Sequence, residues 1–355
     1  MFEPHESAKG TESFPPRLVA IGMGSNLGES LDILRKACAA LDELPGSRFH
    51  QVSRVRLTRA ILGCDDMLRD GKSDPFLNAV AILETSLPPR ELLDYLLAIE
   101  HKFGRKRTKH WAPRTLDLDI LLDEAGPYCD ERLLIPHPRL GSRLFFLACL
   151  EELLPDWRHP WCDLTIRGMV EVLSTRPPYF LIAWDTFIPS TSGQMIPMQL
   201  FFEAVFCKKF VPEKQASPSE HRPDKPIFDF SYHCKPPWSP TDIRQRLEHG
   251  YPVYESVYLT EDDEQGSETA GNDLPTPCLI FLGPGAKGAL WRLDPQDPRH
   301  EAGDSALKLP DLSRLRASAI PVVFVEGGDM LTWADQIIAG FEASQESGRV
   351  LGDLI

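Results

Sequence analysis

Asp117 and Asp119 stand two residues apart in Thr115-Leu116-Asp117-Leu118-Asp119-Ile120-Leu121, where polar and apolar residues alternate. Alternation at period two predicts a strand and sends both carboxylates from one face, about 6.6 Å apart along the backbone. Leu116, Leu118 and Ile120 fill the opposite face. Two carboxylates on rigid backbone suit Mg2+, which takes one or two of them and completes its shell with water and substrate phosphate oxygens. An isolated pair of this kind is more often a solvated sheet edge, but the preceding residues shift that weighing. Gly104-Arg105-Lys106-Arg107-Thr108-Lys109-His110-Trp111-Ala112-Pro113-Arg114 carries five cations and no acid. Guanidinium forks and ammonium charges match polyphosphate oxygens. Joined by one short loop to a metal-binding pair, they are the parts with which phosphoryl-type transfer positions and neutralises a triphosphate. Taken alone, the basic run reads as a solvated loop or a nucleic-acid patch. No GxxxxGK(S/T) phosphate cradle occurs, so a P-loop enzyme is not indicated.

Other residues could serve the same chemistry or simply the core. Trp111, on a polar loop, fits a stacking or lid role at least as well as a core one. His137 lies between Pro136 and Pro138 and is balanced between a structural histidine and a phosphate contact. Arg143 precedes Phe145 and Phe146, and an aromatic in that setting is more often core than ligand platform. Phe76 and Asn78 share a face by strand period, and Asn78 there needs a hydrogen-bonding partner.

The elements that must position these groups follow from pattern. Leu18 to Met23 reads as a strand ended by Gly24-Ser25-Asn26-Leu27-Gly28. A helix follows, with Ser30 as its cap and Leu31, Leu34, Cys38 and Leu41 at helical spacing. Phe49 to Thr58 alternates as one half-buried strand, and Phe76 to Glu84 reads as another. Pro88-Pro89 opens a second helix with the stripe Leu92, Leu96, Ile99 and Phe103, terminated by Gly104. With the aspartate strand the order is β-α-β-β-α-β, the ferredoxin-like α+β arrangement of an antiparallel sheet covered by helices. Helices over Leu144–Leu154 and Leu164–Leu173 complete this region. Beyond Thr175, Tyr179–Trp184, Ile227–Tyr232, Cys278–Gly283 and Ile320–Glu326 read as strands and Met330–Ser344 as a closing helix. Residues 211–226, 259–277 and 293–311 read as long loops. The expected division is a tail (1–16), a first domain (17–174) and a divergent, smaller α/β domain (175–355).

Composition sets the frame. At 355 residues two domains are expected. No apolar run reaches the roughly 20 residues of a membrane span, and residues 1–16 lack the apolar core of a signal peptide, so a cytoplasmic protein without a membrane is expected. The eight cysteines form no CxxC pair and read as reduced thiols. The net charge is −14, with −4 on residues 1–175 and −10 on 176–355, which makes nucleic acid an unfavourable partner.

Four stretches together resemble the 6-hydroxymethyl-7,8-dihydropterin pyrophosphokinase family of folate biosynthesis. They are Ile21-Gly22-Met23-Gly24-Ser25-Asn26-Leu27-Gly28, Phe76-Leu77-Asn78-Ala79, His110 to Leu121, and Ile135-Pro136-His137-Pro138-Arg139. The resemblance covers about residues 17–174. It implies ATP- and Mg2+-dependent transfer of a diphosphate to the hydroxymethyl group of the dihydropterin, with release of AMP. It also implies that Asp117 and Asp119 hold two Mg2+ ions and that Arg105, Arg107, Arg114, His137 and Arg143 contact or close over the ATP phosphates, with Arg105 and Arg114 counted among the catalytic groups. Trp111 would lie on the loop that seals the site, and Glu100 and Ile120 near the nucleotide. Phe76 and Phe145 would sandwich the pterin, whose polar edge Asn78 and the backbone from Thr58 to Leu62 would read. No general base is implied beyond help from Asp119 to a polarised substrate hydroxyl.

The chain departs from the family where Thr58-Arg59-Ala60-Ile61-Leu62-Gly63 lacks the usual proline and where the loop to Phe76 is longer. Dihydropteroate synthase patterns are missing from residues 175–355. Pro177 to Trp184 is similar to the first strand of a deoxynucleoside-kinase-like domain, but the following residues lack the glycine-lysine cradle, which implies lost nucleotide chemistry. Gly283-Pro284-Gly285-Ala286-Lys287-Gly288 reads as a glycine turn. Two other readings stand beside the enzyme: a catalytically silent pterin or nucleotide binder, against which the retained aspartates and arginines argue, and a protein-interaction role for residues 175–355, whose partner the residues do not name.

Overall fold

The structure, a computed structural model, describes residues 14–60, 74–104, 115–130, 132–162 and 164–176. Beyond these it describes residues 179–184, 187–189, 195–197, 248, 253–258, 278–282, 291–293, 308–310, 320–325, 336–337, 339–340 and 343–355. The described residues group into two compact units. Those within 14–57, 74–137 and 349–355 form the first, and those within 58–60 and 138–348 the second.

The first unit begins with β1 (Arg17–Ser25) and α1 (Ser30–Asp42). Glu29, not Ser30, holds the N-cap position of α1; Ser30 is already helical, and its hydroxyl accepts from Ser25 Oγ at 3.0 Å. Two strands follow where one was expected, β2 (Ser47–Val52) and β3 (Val55–Thr58). Ser53 makes the break. Its hydroxyl accepts the Val80 amide at 3.0 Å and donates to the Arg54 carbonyl at 3.0 Å, so a side chain takes the place of a ladder partner. Next come β4 (Phe76–Thr85), α2 (Pro89–Lys102) and β5 (Asp117–Asp123). Pro89 sits in the first turn of α2, where its missing N–H costs nothing, and Gly104 ends the helix at φ +81°. A short hairpin of β6 (Tyr128–Cys129) and β7 (Leu134–Ile135) leads to His137.

β1 lies between β4 and β5, antiparallel to both. β3 and β2 lie along the far side of β4. With β2 and β3 taken as the two halves of one broken strand along β4, this is the βαββαβ order and antiparallel sheet of the expected ferredoxin-like fold. One face carries the core: Ile21 and Met23 of β1, Ala79 and Ala81 of β4, and Leu118 and Ile120 of β5 pack with Leu34 and Leu41 of α1 and Leu92 and Leu96 of α2. A buried ion pair ties the strand ends, with Arg17 Nε 2.8 Å from an Asp123 carboxylate oxygen.

The second unit holds α3 (Leu144–Leu153), preceded by a 3-10 turn over Leu140–Ser142, and the hairpin of β8 (Arg158–His159) and β9 (Leu164–Thr165). It continues with α4 (Ile166–Thr175), whose Thr165 cap accepts the Gly168 amide. The strands expected over Tyr179–Trp184, Cys278–Gly283 and Ile320–Glu326 appear as β10 (Tyr179–Trp184), β14 (Leu279–Leu282) and β17 (Val322–Phe324). With β13 (Val253–Tyr258) they form a parallel sheet ordered β13-β10-β14-β17. β11 (Phe187–Pro189) pairs with β12 (Met195–Pro197), and β15 (Trp291–Leu293) with β16 (Lys308–Pro310). The described residues between 336 and 344 are helical, as expected for the closing helix, while the expected strand over Ile227–Tyr232 lies outside the described residues.

The last strand, β18 (Arg349–Gly352), belongs to the first unit's sheet and pairs antiparallel with β3. Among the described residues no helix is long and apolar enough to cross a membrane. Among the described residues no disulfide is formed, and burial pushes the Cys38 thiol up to about 11.

Candidate active site

The sheet face opposite the helices carries the polar residues. On β1, Gly24 is paired on one side with Asn78 of β4 and on the other with Asp117 of β5; Gly22 is paired with Val80 and with Asp119. Directly paired residues point to the same side of a sheet, so Asn78, Asp117 and Asp119 rise together from neighbouring strands. The glycines between them clear the floor. A Cβ on Gly24 would stand 3.4 Å from Asn78 Oδ1 and 3.9 Å from Asp117 Cβ, so a larger residue there would fill the space between amide and carboxylate. The alternation of Gly22 and Gly24 on an otherwise apolar strand was the sequence signal for this floor. Phe76, two residues before Asn78, opens β4 on the same face, as the strand period requires.

Asp117 and Asp119 are half-buried, as expected for side chains that leave the core for a cleft. The backbone between them is pinned from the helix side. Glu100, 1% exposed on α2, accepts the Leu118 amide with Oε1 at 2.8 Å. Among the described residues β5 has a ladder partner, β1, on one side only, so alternate amides turn outward, and a carboxylate takes up one of them. The position expected near the nucleotide thus holds a residue that braces the aspartate strand. Ile120, 3% exposed, has its side chain in the core with Leu118, facing away from the two aspartates. Period two had already placed it there.

His137 is brought to the pair by the β6–β7 hairpin. Its backbone amide donates to the Leu121 carbonyl at 2.9 Å, extending the edge of β5, and its Nε2 lies 3.7 Å from Asp119 Oδ2. A protonated imidazole there is an ion-pair partner of the carboxylate. Thr58 ends β3 with 3% exposure. In the second unit, the Arg143 guanidinium lies 5.6 Å from the centre of the Phe146 ring, and Phe145, 6% exposed, packs its ring 4.7 Å from that of Phe146. Arg105, Arg107, Trp111, Arg114 and Leu62 lie outside the described residues.

Among the described residues no group of three or more His, Cys, Asp or Glu is placed to hold a metal ion. Two carboxylates on adjacent same-face positions are too few for a structural zinc cage but match Mg2+, which leaves most of its octahedral shell to water and phosphate. The residues present therefore fit the metal that phosphate chemistry requires.

Residues 20–155 match the family described as 7,8-dihydro-6-hydroxymethylpterin-pyrophosphokinase (HPPK). The 2-amino-4-hydroxy-6-hydroxymethyldihydropteridine pyrophosphokinase of Synechocystis is 40% identical over 152 residues, covering 42% of this chain and 73% of that protein. The enzyme of the same name from Pseudomonas aeruginosa is 40% identical over 142 residues, covering 40% of this chain and 83% of its own. A crystal structure of Plasmodium falciparum HPPK-DHPS with pterin and p-hydroxybenzoate superposes with a TM-score of 0.35 at 14% identity, covering 77% of this chain and 69% of that one.

Proposed function

The chain belongs to the HPPK family, and on that premise we propose that it moves the terminal diphosphate of ATP onto the hydroxymethyl group of 6-hydroxymethyl-7,8-dihydropterin and releases AMP, a step of folate biosynthesis. The observation that carries this reading is the row Asn78, Gly24, Asp117, with Asp119 beside it and His137 at 3.7 Å from Asp119. It puts an amide and two carboxylates on one cleared face, the groups that a pterin edge and Mg2+ would need.

In the reaction the hydroxymethyl oxygen attacks the β-phosphorus in line, the bond from that phosphorus to the α,β-bridging oxygen breaks, and AMP leaves with the electron pair. Asp117 and Asp119 would hold Mg2+, and we assign two ions to the pair. Bound there, Mg2+ supplies charge neutralisation along the triphosphate and polarises the attacking hydroxyl. The chain's own part is mostly positioning. The β1–β5 ladder and Glu100 fix the two carboxylates, so little reorganisation is needed when charge shifts. Asp119 is the carboxylate we assign to help the hydroxyl lose its proton. His137 is set to meet a phosphate oxygen next to Asp119, and the cations of the 105–114 loop, with Arg143, to take the remaining phosphate charge. Trp111 on the same loop would keep out water, which otherwise competes for the activated phosphorus. Phe76 and Phe145 are assigned to stack on the pterin, with Asn78, Thr58 and Leu62 at its polar edge. We place the reaction in the cytoplasm, a reading supported by eight scattered cysteines without a CxxC pair.

The test is to incubate the full chain with ATP, Mg2+ and 6-hydroxymethyl-7,8-dihydropterin and to identify the nucleotide product. AMP in a one-to-one ratio with the pterin diphosphate is expected. ADP would show single phosphoryl transfer, and no nucleotide product would leave the silent binder standing.

A further inference from the structure

β18 is built from residues almost 300 positions downstream of the strand it joins. Its register places Arg349 opposite Leu57, Val350 opposite Arg56 and Gly352 opposite Val55, with an irregularity between Val350 and Gly352. Without it β3 would be the sheet edge, with a row of unpaired backbone groups facing outward. The segment is anchored at both ends. Beyond the strand, Leu354 is 1% exposed within the same hydrophobic core as Leu34 and Leu92, and its carbonyl accepts Arg35 Nε of α1 at 2.9 Å. Before the strand, Glu346 Oε2 accepts Arg59 Nε at 2.9 Å while Glu346 Oε1 accepts the Gly348 amide at 3.1 Å. Arg59 follows Thr58 directly. Because β18 runs antiparallel to β3, its beginning lies beside the end of β3.

That end is where the chain leaves the sheet next to Phe76 and Asn78. β2 pairs Val52 with Ala81, and β3 continues along β4 toward its first residues, so Thr58 reaches the end of the sheet that holds Asn78, Gly24 and Asp117. The stretch from Thr58 to Gly63 contains no proline that would stiffen the backbone. A second strand clamped outside β3 supplies stiffness by another route.

We propose that residues 346–354 are a positioning element of the pterin site: β18, anchored by Leu354 and by Glu346 on Arg59, fixes the exit of β3 and so the backbone that meets the pterin. This rests on the functional reading above. It makes a segment far outside the matched residues 20–155 part of the pyrophosphokinase machinery, acting through β3 and not by touching substrate.

The experiment uses the full chain and three variants: Leu354→Ala, Glu346→Arg, and the charge swap Glu346→Arg with Arg59→Glu. Initial rates of AMP formation give kcat and the separate KM values for pterin and ATP, and hydrogen exchange reads the amides of Val55 to Leu57. Leu354→Ala is expected to expose those amides and to raise the pterin KM about tenfold, equivalent to about 1.4 kcal/mol, with the ATP KM within about twofold. Glu346→Arg is expected to act in the same direction, and the swap to restore the wild-type pterin KM. The proposal is overturned if exchange at Val55 to Leu57 rises while the pterin KM stays put. It also falls if both KM values change together, which marks general loosening, or if the swap does not restore what Glu346→Arg lost. Should the wild-type chain form no AMP, the functional reading fails separately. Pterin affinity of the same proteins by fluorescence titration then decides the placement of β18 by the same comparison.

Discussion

Glu100 offers the sharpest test of how the aspartate pair is held. The residue is 1% exposed in the last turns of α2, where a carboxylate opposes the helix dipole, a placement that its bond to the Leu118 amide offsets. Glu100→Ala removes the acceptor and leaves a buried amide on the open side of an edge strand. A hydrogen bond to a charged group contributes about 1.5–3 kcal/mol, so a loss of about 2–3 kcal/mol is expected. Glu100→Gln keeps a carbonyl of the same shape and gives up only the charge, for about 1 kcal/mol. Urea midpoints at unchanged m report both values. The kinetic consequence is separate, since Leu118 lies between the two metal-type carboxylates. At saturating ATP and Mg2+ the kcat of Glu100→Ala is expected to fall by about 10- to 100-fold, the range that misplacement by a fraction of an ångström to one ångström produces. Glu100→Gln should retain most of its rate. Equal midpoints for Ala and Gln, or an Ala variant that loses stability with kcat intact, would refute the bracing role.

Asp117→Asn and Asp119→Asn, which keep shape and remove charge, are each expected to abolish AMP formation while leaving the thermal midpoint within a few degrees; an undiminished rate in either removes that carboxylate from the metal site. Gly141→Ala should cost about 3 kcal/mol, because the new Cβ would collide with the Val322 carbonyl oxygen, inside a close approach of the 3-10 turn to β17. Arg143 is two residues on, so a raised KM for ATP should accompany the lower urea midpoint, and unchanged stability would refute that packing. His159 carries a pH signature: complete burial lowers it from 6.5 to about 3, so it is neutral in the folded protein near neutral pH. Its contribution is intact above pH 6.5 and is lost as pH falls, because the unfolded chain takes up the proton first, at about 1.4 kcal/mol per pH unit. Between pH 7 and pH 5 the wild type should therefore lose about 2 kcal/mol more than His159→Gln, and parallel urea curves for the two would show that His159 is not buried.

Much of the first unit was legible in the residues because its signals are local. The two-residue period of Asp117-Leu118-Asp119-Ile120 alone decides which side chains share a face, and in the structure Leu118 and Ile120 lie together in the core as that period requires. Pro89 and Gly104 mark the ends of α2 through backbone chemistry that needs no neighbours. The break at Ser53 depends instead on a particular partner, the Val80 amide, which only the folded sheet brings to the serine hydroxyl. Glu100 looks like any acidic residue of an amphipathic helix until β5 arrives beside it. The short run Arg349-Val350-Leu351-Gly352 has too few residues for its pattern to declare a partner, and nothing in its spacing points to Val55–Leu57. Periodicity records how one segment divides its own faces. The pairing of distant segments is settled by which unmatched edge and which gap in the core remain once the rest has folded, and that information exists only in three dimensions.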